Sequence, residues 1–513
     1  HKIGWKIVVH RAPASESSAV KEVATLIRET NKERLRSLQK IGQRLNREKV
    51  YGTDWIRITP LGGFGEVGRS CILVETPNSK VLLDAGAKPG ARSLRDEYPA
   101  FYLPDVDPED IDAVIISHAH LDHSVALPYL FKYGYKGPVY MTESTLHLAW
   151  VLIDDYLKVA EREGRPLPYS RSDVITMMNH VVPLRYGEVI DISPDVKLAL
   201  YNAGHILGSS IVHLHIGEGL HNIVYTGDFK FAPTLLLDRA HNEFKRVETL
   251  IMESTYGGQN DVMPSREESV AQLINIIKNT IEQGGKVLMP MLAVGRAQEI
   301  LLVLHEAIET EQLPKIPVYI EGMIHETTTI HTAFLDELSR NVKEKVFKEG
   351  VMPFEVEYFI KLTEKIDRQE IVEGGPSIII ATSGMLTGGP AVEYLKLLAS
   401  DKRNSLIFTS YQVPGTLGRR ILDLAGVGGG GFEVVVDGEV LRVVMSVYSV
   451  EGFSGHSDRV QLVNYIRYMK AKPRLVIIGH GEPAKSQNLA QTIQKRLKIP
   501  TTTPQNMETI RVR

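Results

Sequence analysis

Residues 117–124 read "SHAHLDHS" and place His118, His120, Asp122 and His123 within six positions. The stretch follows the apolar run "DAVII", which is typical of a buried strand, and it leads into a helical pattern. Side chains two positions apart on an extended strand share a face, so the first three of these side chains can point the same way. One zinc ion takes about four ligands, and so dense a group is better explained by two ions about 3.5–4 Å apart. The stretch therefore predicts a metal site on a strand-to-helix loop, with the missing ligands supplied from elsewhere.

Candidates for those missing ligands each follow a strand-like run and adjoin glycine, which lets the backbone approach a ligand closely. They are His205 in "NAGHILGSS", Asp228 in "YTGDFK", His456 in "GFSGHSD" and His480 in "IIGHGE". The chain has 17 histidines, so an isolated one is more often structural. We assign that structural role to His180, His213, His215 and His221.

The composition excludes several classes of protein. The 513 residues suggest roughly two to four domains. The net charge of -3 gives no overall attraction to nucleic acid, so an RNA-binding surface would need a local basic patch. Cys71 is the single cysteine, which excludes an internal disulfide and favours a reducing, cytoplasmic setting. The sequence contains no apolar run of about 18 residues, so no membrane span is predicted. Because the sequence begins at His1 and not at Met, we expect a fragment of a longer polypeptide.

The pattern along the chain changes twice. Residues 19–49 predict one helix whose second half carries Lys32, Arg34, Arg36, Lys40, Arg44 and Arg47, either as a solvated face or as an arm on RNA phosphates. Residues 55–257 predict many short strands. Residues 258–446 alternate strands with helices, which favours a parallel sheet. Within them "FEVVVDGEVLRVV" predicts a hairpin around Asp437 and Gly438.

"SHAHLDHS" resembles the HxHxDH signature of the metallo-β-lactamase superfamily, and His205 and Asp228 match its later motifs. "MESTYG", "GFSGHSDR" and "IIGHGE" resemble three further motifs of its β-CASP branch of nucleases. "LGGFGEVGRSCILVET", "PMLAVGRAQEI", "YQVPGTLGRR" and "PQNMETIRVR" resemble stretches of the archaeal CPSF-like ribonucleases. The resemblance covers residues 50–513. It implies an α/β fold in which an αββα sandwich carries an inserted, Rossmann-like β-CASP domain.

The same resemblance implies a division into domains. Residues 1–49 would be the end of a KH-type RNA-binding region and a linker helix, without the GxxG loop of a KH domain. Residues 50–257 and 447–513 would form the two parts of the metallo-β-lactamase domain, around the β-CASP domain at 258–446. The tail "NMETIRVR" resembles a dimerisation element, so a homodimer is expected, with a frayed terminus as the alternative.

Residue roles are also implied by the resemblance. His118, His120 and His205 would hold one Zn²⁺, Asp122, His123 and His480 a second, and Asp228 would bridge them. Asp122 would also count as catalytic, and manganese is an alternative metal. A water between the ions would lose its proton and attack the scissile phosphorus. His456 would protonate the leaving oxygen, with Glu253 orienting it.

RNA is the implied substrate, because a histidine at the position of His480 accompanies RNA-processing members of the branch. Phosphate binding is expected from Ser383, Gly384 and Met385 in "IIIATSGMLTGGP", for which a plain tight turn is the alternative. Arg296 and Arg419 are further candidates, with an ion pair between domains as the alternative.

The sequence thus predicts a zinc-dependent ribonuclease that cuts single-stranded RNA, either as an endonuclease or as a 5′→3′ exonuclease. Its expected settings are mRNA 3′-end processing, transcription termination or RNA decay, with complexes of those processes as partners. A small-ester or β-lactam hydrolase would not need the 258–446 domain. A non-catalytic scaffold subunit would be expected to lose ligands, and every one is present here.

Overall fold

The computed structural model describes residues 13–49, 52, 54–88, 90–91, 93–362, 367–413, 415–426 and 431–513. The chain forms two compact units. The sandwich unit contains Ser18–Pro233, Asp238–Val262 and Gly455–Arg513, and the insertion unit contains residues 13–17, Thr234–Leu237 and Met263–Ser454. Residues 1–12 of the predicted KH-region end lie outside the described residues. The domain boundaries at 257/258 and 446/447 stay a prediction.

The strands and helices have the following bounds. The strands are β1 (Arg57–Gly62), β2 (Cys71–Glu75), β3 (Lys80–Leu83), β4 (Ala113–Ile115), β5 (Val139–Thr142), β6 (Val181–Leu184), β7 (Val189–Ser193), β8 (Val196–Asn202), β9 (Ser210–Ile216), β10 (His221–Tyr225), β11 (Thr249–Met252), β12 (Lys286–Pro290), β13 (Val318–Glu321), β14 (Phe359–Lys361), β15 (Ser377–Ala381), β16 (Ser405–Phe408), β17 (Phe432–Val436), β18 (Glu439–Val443), β19 (Ser446–Ser449), β20 (Leu475–Ile478), β21 (Thr501–Thr502) and β22 (Ile510–Arg511). The α-helices are α1 (Ser18–Glu29), α2 (Asn31–Leu45), α3 (Leu94–Glu97), α4 (Leu121–Ser124), α5 (Leu127–Lys132), α6 (Glu143–Arg162), α7 (Arg171–Met178), α8 (Arg266–Glu282), α9 (Arg296–Glu309), α10 (Ile324–Ala333), α11 (Arg340–Glu344), α12 (Arg368–Glu373), α13 (Pro390–Leu398), α14 (Leu417–Ala425), α15 (Arg459–Tyr468) and α16 (Pro483–Leu497).

Two seven-stranded sheets form the sandwich unit, with strand orders β22-β1-β2-β3-β4-β5-β6 and β21-β20-β11-β10-β9-β8-β7. Their inner faces share one apolar core, to which Ile58 and Val81 contribute from the first sheet and Val196, Ile223 and Ile477 from the second. Helices α15 and α16 bury apolar side chains on the outer face of the second sheet, and α6 packs against β5 and β6. Each sheet thus buries one face on the other and one face under helices, which gives the predicted αββα sandwich.

The insertion unit contains a six-stranded sheet with the order β14-β13-β15-β12-β16-β19, in which all neighbours are parallel. This confirms the parallel sheet predicted from alternating strands and helices. The hairpin of β17 and β18 turns at Asp437 and Gly438, whose φ angles of 49° and 86° suit an Asp-Gly turn.

The prediction of one helix over residues 19–49 is wrong. The segment forms α1 and α2, and the break lies at Thr30, whose amide and hydroxyl both donate to the Leu26 carbonyl. Both interpretations of its basic residues fail for Arg34 and Arg44, which are half-buried, whereas Arg47 is exposed, as on a solvated face. Arg34 donates to three carbonyls between the last residue of α7 and the first residue of β6, and Arg44 and Arg47 bind Asp112. These three side chains fasten the helix to the sandwich, whereas Lys32, Arg36 and Lys40 are exposed.

None of the helices in the described part of the chain is long and apolar enough to cross a membrane.

Candidate metal centre

The quoted stretch lies where β4 ends. His118 and His120 occupy the loop after this buried strand, and Asp122 and His123 belong to the first turn of α4. The backbone there is tightly packed, because the Asp122 carbonyl accepts a 2.9 Å hydrogen bond from the Ser70 amide. Gly86 lies against the same carbonyl, and a Cβ at that position would be 1.7 Å from the Asp122 oxygen. The position of Asp122 therefore depends on a glycine at residue 86.

His205, Asp228, Glu253 and His480 follow β8, β10, β11 and β20 respectively. These four strands run in the same direction, since β10, β11 and β20 are parallel and β8 and β10 are both antiparallel to β9. Their carboxyl ends therefore meet at one edge of the second sheet. This topology brings together residues that are far apart in the chain.

The structure gathers these side chains into two groups that share one carboxylate. Ligand atoms of His118, His120, His205 and Asp228 lie within 4.8 Å of one another, as do those of Asp122, His123 and His480. Asp228 lies between the groups. Its Oδ2 is 3.7 Å from His118 Nε2 and 3.4 Å from His123 Nε2, and its Oδ1 is 3.6 Å from His480 Nε2.

In three of the histidines the second ring nitrogen has a protein partner, which orients the ring. His118 Nδ1 lies 3.0 Å from Ser117 Oγ, His205 Nδ1 lies 2.9 Å from the Gly455 carbonyl, and His123 Nδ1 lies 2.8 Å from Asp84 Oδ2. Such partners orient metal-binding imidazoles and select the tautomer that presents the other nitrogen.

Asp84 is a buried residue beside the candidate site that the sequence analysis missed. It is fully buried and accepts hydrogen bonds from the Ser117 amide and hydroxyl and from the Tyr225 hydroxyl, in addition to contacting His123. It lies just after β3 in "LLDAG", so the strand-end and glycine signal that found Asp228 would also have found Asp84.

Neutral histidines and an ionised carboxylate are the state that a cation requires. Burial lowers the pKa of His118 and His205 well below the usual value, and it lowers the pKa of His120 to about 4. Burial opposes ionisation of Asp228, but His480, His123 and His456 hold the pKa of that carboxyl well below its usual range. His123 differs from the other three histidines, because the Asp228, Asp122 and Asp84 carboxylates outweigh burial and raise its pKa well above the usual value.

The donor set fits a metal ion. His118 Nε2 and Asp228 Oδ1 are buried and have no hydrogen-bond partner among the described residues. Leaving buried acceptors unsatisfied costs about 1–3 kcal/mol each, unless another group binds them. Imidazole and carboxylate ligands converging in this way suit zinc.

His456 and Glu253 form a hydrogen-bonded pair beside the two groups. His456 Nδ1 lies 2.9 Å from Glu253 Oε2 and 3.9 Å from Asp228 Oδ2. Burial lowers the pKa of His456, but the Glu253 and Asp228 carboxylates outweigh it and raise that pKa. Glu253 is 1% exposed and also accepts from the Phe229 amide, so it is not the surface carboxylate that a strand end alone would suggest.

The predicted RNA-binding residues all lie in the insertion unit, at the carboxyl ends of neighbouring strands. Ser383, Gly384 and Met385 follow β15, Arg296 begins α9 after β12, and Arg419 lies in α14 after β16. The Gly418 amide donates to the Met385 carbonyl, which joins α14 to the β15 loop. Arg296 is buried, and Arg419 pairs with Asp423 of its own helix at 2.9 Å. The ion pair seen for Arg419 is therefore within one helix.

Comparison with known protein families identifies the class. The model of the metallo-beta-lactamase superfamily matches residues 64–280, that of the Beta-Casp domain residues 297–421, and that of the Zn-dependent metallo-hydrolase RNA specificity domain residues 440–504. These matches and the sandwich define a metallo-β-lactamase fold of the β-CASP type, a class that implies a metal-dependent hydrolase.

Similar proteins identify the family within this class. Transcription termination factor FttA of Methanothermobacter thermautotrophicus is 46% identical over 514 residues, which cover 99% of this chain and 80% of that protein. The FttA proteins of Lokiarchaeum sp. and Pyrococcus horikoshii are 45% and 46% identical, over 99% and 100% of this chain and 79% of each relative. The chain belongs to this archaeal FttA family, which is CPSF-like.

A solved structure shares the fold. A protein of unknown function from Enterococcus faecalis V583 matches with a TM-score of 0.55 and 17% identity, over 89% of this chain and 100% of that chain.

Proposed function

We propose that the chain is a zinc-dependent ribonuclease that hydrolyses single-stranded RNA at a centre of two ions. The observation that carries this proposal is the pair of histidine and carboxylate groups that share Asp228, with the His456–Glu253 contact beside them. His118, His120 and His205 would hold one ion, Asp122, His123 and His480 the other, and Asp228 both. Zinc bound there would lower the pKa of water towards neutrality and neutralise phosphate charge.

His456 supplies the proton that the leaving oxygen needs. Its Nδ1 lies 2.9 Å from Glu253 Oε2, and we assign the other ring nitrogen, Nε2, to the leaving oxygen. The Glu253 carboxylate keeps the imidazole in one orientation and favours its protonated form near neutral pH. Asp122 would help to hold the second ion, and we therefore count it in the catalytic group.

RNA is the substrate class supported best. The matched RNA specificity model spans residues 440–504 and therefore includes both His456 and His480. The relatives are named as transcription termination factors, which makes cleavage of a nascent transcript a fitting task. In the insertion unit, Ser383, Gly384, Met385, Arg296 and Arg419 are the proposed phosphate contacts, because ligands of parallel α/β sheets bind beyond the carboxyl strand ends.

The proposal is tested with end-labelled single-stranded RNA, incubated with zinc-replete protein and with protein treated with a chelator. Cleavage that depends on zinc and is lost in Asp122→Ala is expected. RNA that is bound but left intact by the zinc-replete protein would favour a scaffold subunit.

A second set of RNA substrates distinguishes endonucleolytic from exonucleolytic cleavage. We propose endonucleolytic cleavage, with 5′→3′ exonuclease action as the alternative. Circular RNA has no end, so its cleavage would exclude a purely exonucleolytic enzyme, and a preference for 5′-phosphorylated over 5′-hydroxyl linear RNA would support the alternative. The homodimer formed through the C-terminal tail remains a proposal, to be tested by sedimentation.

A further inference from the structure

The segment of residues 62–70, named here the glycine turn, contacts the His480 loop at three points. The Gly63 carbonyl accepts from the His480 amide at 2.6 Å, and the Glu66 carbonyl accepts from the Gly481 amide at 3.0 Å. The third contact is made by the Ser70 hydroxyl, whose Oγ lies 2.7 Å from His480 Nδ1. The backbone of His480 needs this support, because its φ of 45° lies in the left-handed region that non-glycine residues rarely adopt.

Ser70 lies beside both histidines of the second group. It is 4% exposed, and its Oγ is 3.5 Å from His123 Nε2 as well as 2.7 Å from His480 Nδ1. His480 Nε2 faces Asp122 Oδ2 at 3.8 Å and Asp228 Oδ1 at 3.6 Å. A hydrogen bond at Nδ1 therefore fixes the ring plane in which Nε2 faces the acidic side of the site, and when the Ser70 hydroxyl is the acceptor it also places the ring proton on Nδ1.

The glycine turn is itself held by the C-terminal tail. Asn506 Oδ1 accepts from the Phe64 amide at 3.0 Å, and Asn506 Nδ2 donates to Glu66 Oε1 at 2.6 Å. The next residue bonds the strand just before the turn, because the Met507 amide donates to the Pro60 carbonyl at 2.7 Å. One asparagine side chain thus satisfies both a backbone donor and a carboxylate of the turn.

Other contacts leave the turn little freedom to move. The Glu66 carboxylate also accepts from Arg69 Nε and Lys88 Nζ, each at 2.6 Å, so both of its oxygens are bound. The Phe64 ring fills the space next to Gly479, where a Cβ would lie 2.6 Å from the ring. A displacement of the glycine turn would therefore also displace Gly479, the residue before His480.

We infer that Ser70 is a positioning residue for His480, and that Asn506 of the C-terminal tail holds the turn that carries Ser70. The tail then supports the metal centre within its own chain, in addition to any part in dimerisation. This inference rests on the proposed function, because it gives His480 its role at a metal ion.

The first test removes the Ser70 hydroxyl. In Ser70→Ala we expect the zinc affinity of the Asp122, His123 and His480 group to fall by roughly 10–100-fold, as for other outer partners of metal ligands. The affinity of the His118, His120 and His205 group should be unchanged. Zinc titration with a competing chelator measures both. Ser79→Ala is the matched control, since Ser79 is also 4% exposed but bonds Asp195, away from the site.

The tautomer of His480 can be measured without zinc, so this second measurement does not depend on how much zinc the protein binds. In metal-free protein, the ¹⁵N shifts of the histidine rings should show His480 with its proton on Nδ1 in the wild type, and a mixture of tautomers in Ser70→Ala. Unchanged tautomer and zinc affinity in Ser70→Ala would overturn the role of Ser70.

The second test addresses the tail. Asn506→Asp keeps an acceptor for the Phe64 amide but sets a carboxylate against Glu66, so we expect it to weaken zinc binding by His480 as much as Asn506→Ala does. Glu508→Ala is the control in the same tail, because Glu508 accepts from the Gln505 amide and not from the glycine turn.

The outcomes separate the inference from the proposed function. Wild-type zinc affinity in both Asn506 variants would overturn the role of the tail. A wild-type protein that binds no zinc at either group would instead remove the proposed function, and the inference with it.

Discussion

Residues that are not candidate metal ligands also set the geometry of the candidate site. Asp84 binds Ser117, His123 and Tyr225 with one buried carboxylate. Ligand spacing in "SHAHLDHS" predicts none of these bonds. The support of the centre therefore has to be tested residue by residue, at positions that would never touch zinc.

Replacing Asp84 should weaken metal binding without removing a ligand. In Asp84→Asn the amide can no longer accept from His123 and Ser117 as an anion does, and we expect zinc affinity to fall by roughly 10–100-fold. Competitive zinc titration measures this loss. Asp195→Asn is the matched control, because Asp195 is also buried and bound by two hydroxyls, far from the histidines. Equal affinities for Asp84→Asn and the wild type would contradict the supporting role.

His456 should affect catalysis and not zinc content. His456→Ala removes the proposed proton donor, so cleavage of RNA should slow by about 10²–10⁴-fold while the zinc content stays that of the wild type. Single-turnover cleavage and metal analysis of the same sample check the two parts. Loss of zinc from this variant would assign His456 to the ligands instead.

At the scale of elements, α2 shows how a charge pattern can mislead. Its basic residues suggested either a solvated face or an RNA-binding arm, but the pattern cannot show which carbonyls will lie opposite. Arg34 donates to Val181 O at 2.7 Å and also contacts the carbonyls of Met178 and Asn179.

Arg34→Ala should therefore lower stability. Losing hydrogen bonds from a charged donor to buried carbonyls should cost about 1.5–3 kcal/mol of unfolding free energy, measured by denaturant titration. Arg36→Ala changes an exposed residue of the same helix and should stay within about 0.5 kcal/mol of the wild type. A loss of RNA affinity in Arg34→Ala without a loss of stability would restore the RNA-binding interpretation.

A buried histidine on strand β9, His213, should make the stability of the fold depend on pH. His213 is 3% exposed, and burial, helped by His215, lowers its pKa to about 3. The unfolded chain, with a histidine pKa of about 6.5, then binds a proton that the folded chain does not. His213 therefore costs no stability above about pH 6.5, and it destabilises the fold progressively as the pH falls from there towards 3.

His213→Leu should remove this dependence. Relative to neutral pH, the wild type should lose roughly 2–3 kcal/mol more than the variant at about pH 4.5, by the linkage relation. Unfolding free energies at both pH values give the difference, in which protonation of the other histidines cancels. Parallel pH profiles for the two proteins would show that His213 is not a buried neutral base.

At the scale of the whole molecule, local patterns predicted most of the fold and the residues that converge. Strand ends next to glycine pointed to His205, Asp228, His456 and His480, because that signal is local. The glycine turn and the tail could not be assigned in this way. Ser70 and His480 are 410 positions apart, and Asn506 and Glu66 are 440 apart, so only the folded chain pairs them.

The zinc content per chain distinguishes a centre of two ions that share Asp228 from a single metal site. Two zinc ions are expected in the wild type, with one lost in His118→Ala and one in His480→Ala, since each histidine belongs to a different group. Metal analysis after dialysis against a weak chelator gives these numbers, with Ser79→Ala as the control. Two ions in the wild type and one in each histidine variant would support the shared centre. One ion in the wild type, or the loss of all zinc in only one of the two variants, would contradict it.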